Sequence, residues 1–169
     1  MSTDTKEKAF QQDIINYLES TGYVVRFTKD YHVNSFLDVE LVLKFIKTSQ
    51  PDDWEIFANH NANPEATFIK TLCNKIRERG TIRVLREGIN EMMVKFDLFY
   101  SKPNTTLNPD LELKYSQNIF SVVKELEYED KDNGNRLDLV IFINGIPIST
   151  IELKDTFTQG VEKAMDQYR

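Results

Sequence analysis

One cysteine in 169 residues, Cys73, leaves an internal disulfide nothing to close on and cannot build a thiolate metal cage. The two histidines, His32 and His60, have no partner at ligand spacing, so zinc chemistry and thiol redox chemistry are both poor candidates. Long apolar runs are missing too. Stretches such as Leu139 to Ile143 fall far short of the roughly 20 residues that cross a bilayer, and no apolar segment follows Met1. The reading is a soluble, cytoplasmic protein with no membrane contact. There is no Gly-x-x-x-x-Gly-Lys-Ser/Thr loop, so no ATP site is expected in this stretch. Positive charge is also short: 21 Lys+Arg stand against 27 Asp+Glu for a net charge of -6, the reverse of the basic footprint by which a domain grips nucleic acid unaided. That balance still permits a nuclease, because a metal site needs clustered carboxylates and other domains can supply the grip.

What is present suits one globular domain over residues 1–169 with a real core, at 40% hydrophobic and 28% charged residues. Phe10, Ile14, Tyr17 and Leu18 recur at helical spacing, and Gly22 stands where a helix of about Thr5 to Ser20 would end. Val39, Val42, Leu43 and Ile46 suggest a second helix with Ser35 as N-cap, although the alternation Val39, Leu41, Leu43, Phe45 would also fit a strand. The clearest helix runs from Pro64 to Arg79, with Asn63 as N-cap, Ala66, Ile69, Leu72, Cys73 and Ile76 on one face, and Gly80 closing it. Cys73 then reads as a core thiol, and Trp54 and Phe57 as core or a docking face.

Beyond Gly80 the pattern turns to a period of two. Ile82 to Leu85 and Met92 to Tyr100 read as strands around a Glu87-Gly88 turn. The Pro/Asn-rich stretch Ser101 to Pro109 reads as a connection and a possible seam. Asn118 to Tyr128, Leu137 to Ile143 and Ile146 to Leu153 form three β-rich runs with turns at Asn133-Gly134 and Asn144-Gly145, an antiparallel meander. A last helix is expected from about Phe157, still running at Arg169, which reads as a piece cut from a longer protein.

Chemistry concentrates in residues 135 to 155, NRLDLVIFINGIPISTIELKD. Asp138 opens one apolar strand, and Glu152 and Lys154 close the next. Burying unpaired carboxylates is costly, so charges gathered at one end of two core strands need a shared reason, and a divalent cation supplies one. Asp and Glu oxygens suit Mg²⁺ or Mn²⁺ with a phosphodiester and a water, while a nearby lysine can orient the water and offset phosphate charge. The same string occurs at Asp97 with Glu112 and Lys114, but across the Pro/Asn loop, where no hairpin makes the residues neighbours. The hairpin also sets a condition. A two-residue Asn144-Gly145 loop would pair Asp138 with Ile151 and turn Glu152 to the opposite face. A shared site therefore demands a three-residue loop, Ile143 to Gly145, with Gly145 at positive φ and Asp138 opposite Thr150, or an equivalent bulge.

The segments RVLREGI, YSKPNTTLNPDLELKY, QNIFSVV, RLDLVIFINGIPISTIELK and AMDQYR, with a looser fit through KAFQQDIINYLESTGY and FIKTSQPDDW, resemble the N-terminal endonuclease domain of the restriction (R) subunit of type I restriction-modification enzymes. The resemblance implies a PD-(D/E)xK nuclease: an α/β (α+β) restriction-endonuclease-like mixed sheet containing an antiparallel meander, flanked by helices. It implies Asp138 and Glu152 as Mg²⁺ (or Mn²⁺) ligands and Lys154 as the catalytic lysine. Gln167 resembles a glutamine that contacts DNA or steadies the site. In part of the family it opens a Gln-x-x-x-Tyr motif, whereas here Tyr168 follows it directly. Glu7 is the candidate for the acidic residue that many such nucleases take from the first helix. The implied partners are double-stranded DNA, the methylation and specificity subunits, and ATP-dependent motor domains of the full-length subunit. The competing readings are a repair or junction-resolving nuclease of the same superfamily, and a nuclease-like fold that only docks partners. The basic run Lys75, Arg77, Arg79, Arg83 and Arg86, interrupted by Glu78 and Glu87, reads as a solvated face.

Overall fold

The computed structural model describes residues 3–31, 35–91, 93–105, 107–128 and 136–153, with side chains from Lys8 onward. Among them the chain forms six α-helices, a four-stranded mixed sheet and a two-stranded sheet. The opening helix, α1 (Thr3–Ser20), buries a stripe different from the one its largest apolar residues suggest. Phe10 and Tyr17 are exposed, while Gln11 and Ile15 are buried and Ile14 and Leu18 pack beside them. These four positions keep the i, i+3, i+4, i+7 spacing of one face, so the helix is rotated by one position to bring an amide inward.

After α1 comes the short strand β1 (Val24–Arg26), then a single 3-10 turn (Thr28–Asp30). The segment around Val39 is a helix, α2 (Val39–Ser49), and its N-cap is Asp38 rather than Ser35. Asp38 Oδ1 accepts from the Leu41 N–H at 3.1 Å while Arg26 grips the same carboxylate, Nε to Oδ2 at 2.7 Å and Nη2 to Oδ1 at 3.2 Å. A serine could cap the helix but could not answer the guanidinium.

Helices α3 (Pro51–Asn59), α4 (Pro64–Arg79) and α5 (Thr81–Glu87) follow. The bounds of α4 are those its composition predicts, although Asn63 contributes its backbone carbonyl to Thr67 instead of a side-chain cap. Residues 82–85 are helical, not a strand: Gly80 at φ 81° breaks α4 and lets a second helix start at once, burying Val84 and Leu85. Strands β2 (Ile89–Glu91) and β3 (Val94–Phe96) then form a small antiparallel pair. Gly88 must be glycine there, because a Cβ would lie 2.3 Å from the Phe96 carbonyl oxygen.

This helical half closes on one aromatic cluster. Trp54, Phe57, Phe68 and Phe96 meet at centroid distances of 5.1 to 6.5 Å, mostly edge to face. Trp54 and Phe57 are thus core residues. Cys73 is half-buried at the rim of the cluster, and burial pushes its thiol pKa up.

The second half starts after the connection, with α6 (Pro109–Ser116), capped by the Asn108 side chain, and continues as β4 (Phe120–Glu127), β5 (Arg136–Ile143) and β6 (Ile146–Ile151). The meander is as the alternation predicts. The unforeseen strand is β1, which joins β4 in parallel and gives the order β1-β4-β5-β6. Helix α1 covers one face of this sheet through Ile15, Val122, Leu139 and Leu153. Val123, Leu126, Val140 and Phe142 form the other face with Tyr31. Among the described residues no helix is long and apolar enough to cross a membrane.

Candidate metal centre

The hairpin that carries Asp138 and Glu152 turns through two residues, not three. Asn144 (φ 50°) and Gly145 (φ 78°) are both left-handed, as a type I′ turn requires. The expected positive φ at Gly145 is there, but Ile143 pairs with Ile146, which corrects the three-residue loop.

The turn is held from three sides. Asn144 is buried; its Oδ1 accepts from the Ile119 N–H at 2.6 Å, and its Nδ2 donates to the Leu98 carbonyl at 2.9 Å and to Asn118 Oδ1 at 3.0 Å. Gly145 presses on the start of α2, where an added Cβ would lie 2.4 Å from the Asp38 carbonyl oxygen and 2.6 Å from the Val42 nitrogen. A three-residue loop would have to displace these contacts.

The odd residue appears within the hairpin instead. Phe142 pairs with Pro147 but Ile141 pairs with Ser149, so Ile148 is an extra residue in β6. Pro147, with no N–H to give, marks the place where the ladder is interrupted. Beyond the bulge Val140 meets Thr150 and Leu139 meets Ile151. β6 ends at Ile151; a register continued one step further would set Asp138 opposite Glu152, on the face of Val140 and Thr150.

Two further contacts fix Asp138. The Leu153 N–H donates to Asp138 Oδ2 at 2.5 Å, and Leu153 is itself buried against α1 and Leu139. Gln11 of α1 donates Nε2 to the Asp138 carbonyl at 2.9 Å. Gln11 was missed in the sequence; the signal available was a polar residue on the stripe that includes Ile14, Ile15 and Leu18.

On the other side of Asp138, β4 carries Glu125 at φ 50° in the opposing position, between the pairs Lys124–Leu139 and Leu126–Leu137. The Thr28 hydroxyl donates to the Glu125 carbonyl at 3.1 Å, and Arg136 reaches Glu125 at 3.6 Å and Glu127 at 2.9 Å.

Glu7 lies in α1, one turn before Gln11, and its side chain is outside the described ones. Lys154 and Gln167, the helix expected from Phe157 and the Asn133-Gly134 turn fall outside the described residues. Among the described residues no three His, Cys, Asp or Glu side chains converge as a metal cage. Asp138 and Glu152 offer two carboxylates of the type that hard divalent cations take, the number with which Mg²⁺ is often held when water and substrate phosphate complete its shell.

The competing string comes together only in part: Asp97 and Lys114 line one open pocket, which Glu112 does not join. Asp97 sits beyond β3 with its backbone N–H and carbonyl both tied to the Gln50 side chain, at 2.7 and 2.9 Å. Glu112 and Lys114 ride on α6, which buries none of its residues, and the Lys114 ammonium lies 5.8 Å from the centre of the Tyr100 ring.

A family model described as the type I restriction enzyme R protein N terminus matches residues 4–169. No curated protein and no solved structure matches the chain.

Proposed function

Since the chain belongs to the family of type I restriction enzyme R protein N-terminal regions, and with it to a type I restriction complex acting with DNA, we propose that it is the nuclease of that complex, a Mg²⁺-dependent PD-(D/E)xK endonuclease. The observation that supports this reading is the bulge at Ile148, which shifts the β5–β6 register by one residue, so that a strand continued past Ile151 would turn Glu152 to the face of Asp138. A regular two-residue hairpin would separate them, so a strand irregularity serves the one pairing that a shared cation needs.

Asp138 and Glu152 would hold the cation, Mg²⁺ or Mn²⁺, which when bound stabilises charge on the scissile phosphate and lowers the pKa of a coordinated water. The chain's own groups arrange the rest. The Leu153 N–H takes one oxygen of Asp138 and so orients the carboxylate, and Gln11 pins the strand segment that bears it. Lys154, next after Leu153, orients the attacking water and offsets phosphate charge. Gln167 contacts DNA or steadies the site, and Glu7 would have to reach it from α1, which packs on the opposite face of the sheet.

The substrate is double-stranded DNA in the cytoplasm, cut without sequence preference of this domain's own. Sequence is read by the partner specificity and methylation subunits, and ATP is used by motor domains of the R protein. With a net charge of -6 the chain alone is a poor nuclease, because its overall charge does not draw DNA in from a distance.

The test is cleavage by the assembled restriction enzyme carrying Asp138→Asn, Glu152→Gln or Lys154→Ala. Each variant should lose at least about 100-fold in cutting, or about 3 kcal/mol of transition-state stabilisation, while ATP hydrolysis continues. Lys114→Ala, in the competing string, should cut normally. Undiminished cutting by all three site variants would overturn the assignment.

A further inference from the structure

We propose that the groove between the 3-10 turn after β1 and the paired ends of β4 and β5 receives the sugar-phosphate backbone of the DNA strand that passes the cleavage site. The proposal rests on the nuclease reading above and adds to it the residues that hold the substrate. Topology brings the two places together. With β1 parallel to β4, and β5 and β6 each antiparallel to its predecessor, the C-terminal ends of β1, β4 and β6 and the start of β5 share one end of the sheet. On the β5–β6 side of that end stand Asp138 and Glu152. On the β1–β4 side is an open groove of about 480 Å³, lined by Phe27, Lys29, Lys124, Glu125, Glu127 and Arg136 together with Thr28.

The strand register makes the groove and the carboxylates neighbours. Arg136 precedes Asp138 by two positions on β5 and so shares its face, and Lys124 stands next in sequence to Glu125, the residue in the position opposite Asp138. The β4 wall is therefore one strand from Asp138, about 5 Å away. It is also shaped there: Glu125 holds a left-handed conformation that a non-glycine residue rarely adopts, the ladder skips it, and the Thr28 hydroxyl bonds its carbonyl. The kink sits opposite Asp138 and nowhere else on β4.

The lining matches a polyanion that carries flat bases. Lys29, Lys124 and Arg136 offer three cations, and the Phe27 ring is 54% exposed with the Lys29 ammonium 5.7 Å from its centre. Cations fix phosphates, and an exposed ring offers a surface on which a base stacks. Arg136 is held by Glu127 and Glu125 through half-exposed pairs, which a phosphate can replace because such pairs are weak. The other basic surface, at the α4–α5 corner, fits less well. There Arg79 and Arg83 both close on Glu87, and no carboxylate pair of the candidate centre lies on those helices.

The experiment measures binding of a short fluorescein-labelled duplex of mixed sequence to the 169-residue chain by fluorescence anisotropy, with EDTA present, from about 50 to 200 mM salt. The triple variant Lys29→Ala, Lys124→Ala, Arg136→Ala should bind about tenfold more weakly at the low-salt end. Its log-log salt slope should shrink by about 2 to 3, at about 0.9 per lost phosphate contact. Glu127→Gln, which frees Arg136, should tighten binding about twofold, a gain that misfolding cannot produce. Arg83→Ala with Arg86→Ala should bind like the wild type. An unchanged affinity and slope in the triple variant, no binding by the wild type at low salt, or loss through the Arg83/Arg86 pair instead would each overturn the groove. Asp138→Asn separates the two readings: it should bind DNA in this assay and abolish cleavage in the assembled enzyme. If it cleaves normally while the triple variant fails to bind, the groove stands and the nuclease assignment falls.

Discussion

Around Phe96 a cluster of apolar side chains packs ring against ring; around Asp138 the same chain sets carboxylates, an amide and a left-handed glutamate, with a bulge further along the hairpin. The helical half keeps to the rules by which sequences specify folds, with a side-chain cap on α2, glycines closing α4 and α5, and a closed aromatic core. The sheet half keeps them at the Asn144-Gly145 end, where a buried asparagine is fully bonded, and departs from them at the other. Departures of this kind persist where function requires them. The difference points to the same place as the motif does: apolar packing fills the helical half and the turn, and the polar irregularities gather at the other end of β4 and β5.

The contrast breaks first if Phe96 proves expendable. Phe96→Ala should cost about 3 to 5 kcal/mol in chemical denaturation, since it empties the centre of the cluster. Gly145→Ala comes next, at about 3 kcal/mol, because a left-handed alanine would drive its Cβ into the backbone of Asp38 and Val42. Asp138→Asn should lie within about 1 kcal/mol of wild type without metal, since the amide oxygen can still accept from the Leu153 N–H. A loss as large as that of Phe96→Ala would erase the distinction between a core residue and a site residue.

The smallest effect concerns pH. Tyr31 is buried against Phe142, and burial raises its phenol pKa from 10.0 to about 12. A raised acid pKa in the folded state means that the folded protein binds the proton more tightly. The stabilisation is complete below pH 10.0, and it is lost as pH rises from there through about 12. The melting temperature should fall across that window, and Tyr31→Phe should flatten the fall.

Much of this division was legible in the sequence, and the failures have physical causes. The α4 bounds followed from Pro64 and Gly80, and the meander from alternation, because both signals are local. Residues 82–85 misled because Ile82, Val84 and Leu85 alternate like a strand; the glycine at position 80 lets a new helix start, and tertiary burial of Val84 and Leu85 settles the matter. Ser35 lost the N-cap to Asp38 because Arg26, twelve residues earlier than Asp38, needs a carboxylate, a long-range demand that composition does not reveal. The parallel pairing of β1 was unreadable for the same reason, three residues being too short for a period. For the candidate centre, Asp138 and Glu152 were readable as charges ending apolar strands. The register that would align them was readable only as a requirement, since the two-residue turn is held by Asn144 bonding to Leu98, Asn118 and Ile119, contacts distant in sequence, and the odd residue falls at Ile148 instead.

If the bulge at Ile148 brings Asp138 and Glu152 into one cation site, removing it should abolish cation binding. Isothermal titration of Mn²⁺ into the metal-free chain decides this by comparing wild type, Asp138→Asn, and a variant with Ile148 deleted. The wild type should show one saturable binding event and neither variant any, with the deletion variant still melting cooperatively because its turn is intact. Wild-type Mn²⁺ affinity in the deletion variant, where Glu152 would face away from Asp138, would contradict the shared site.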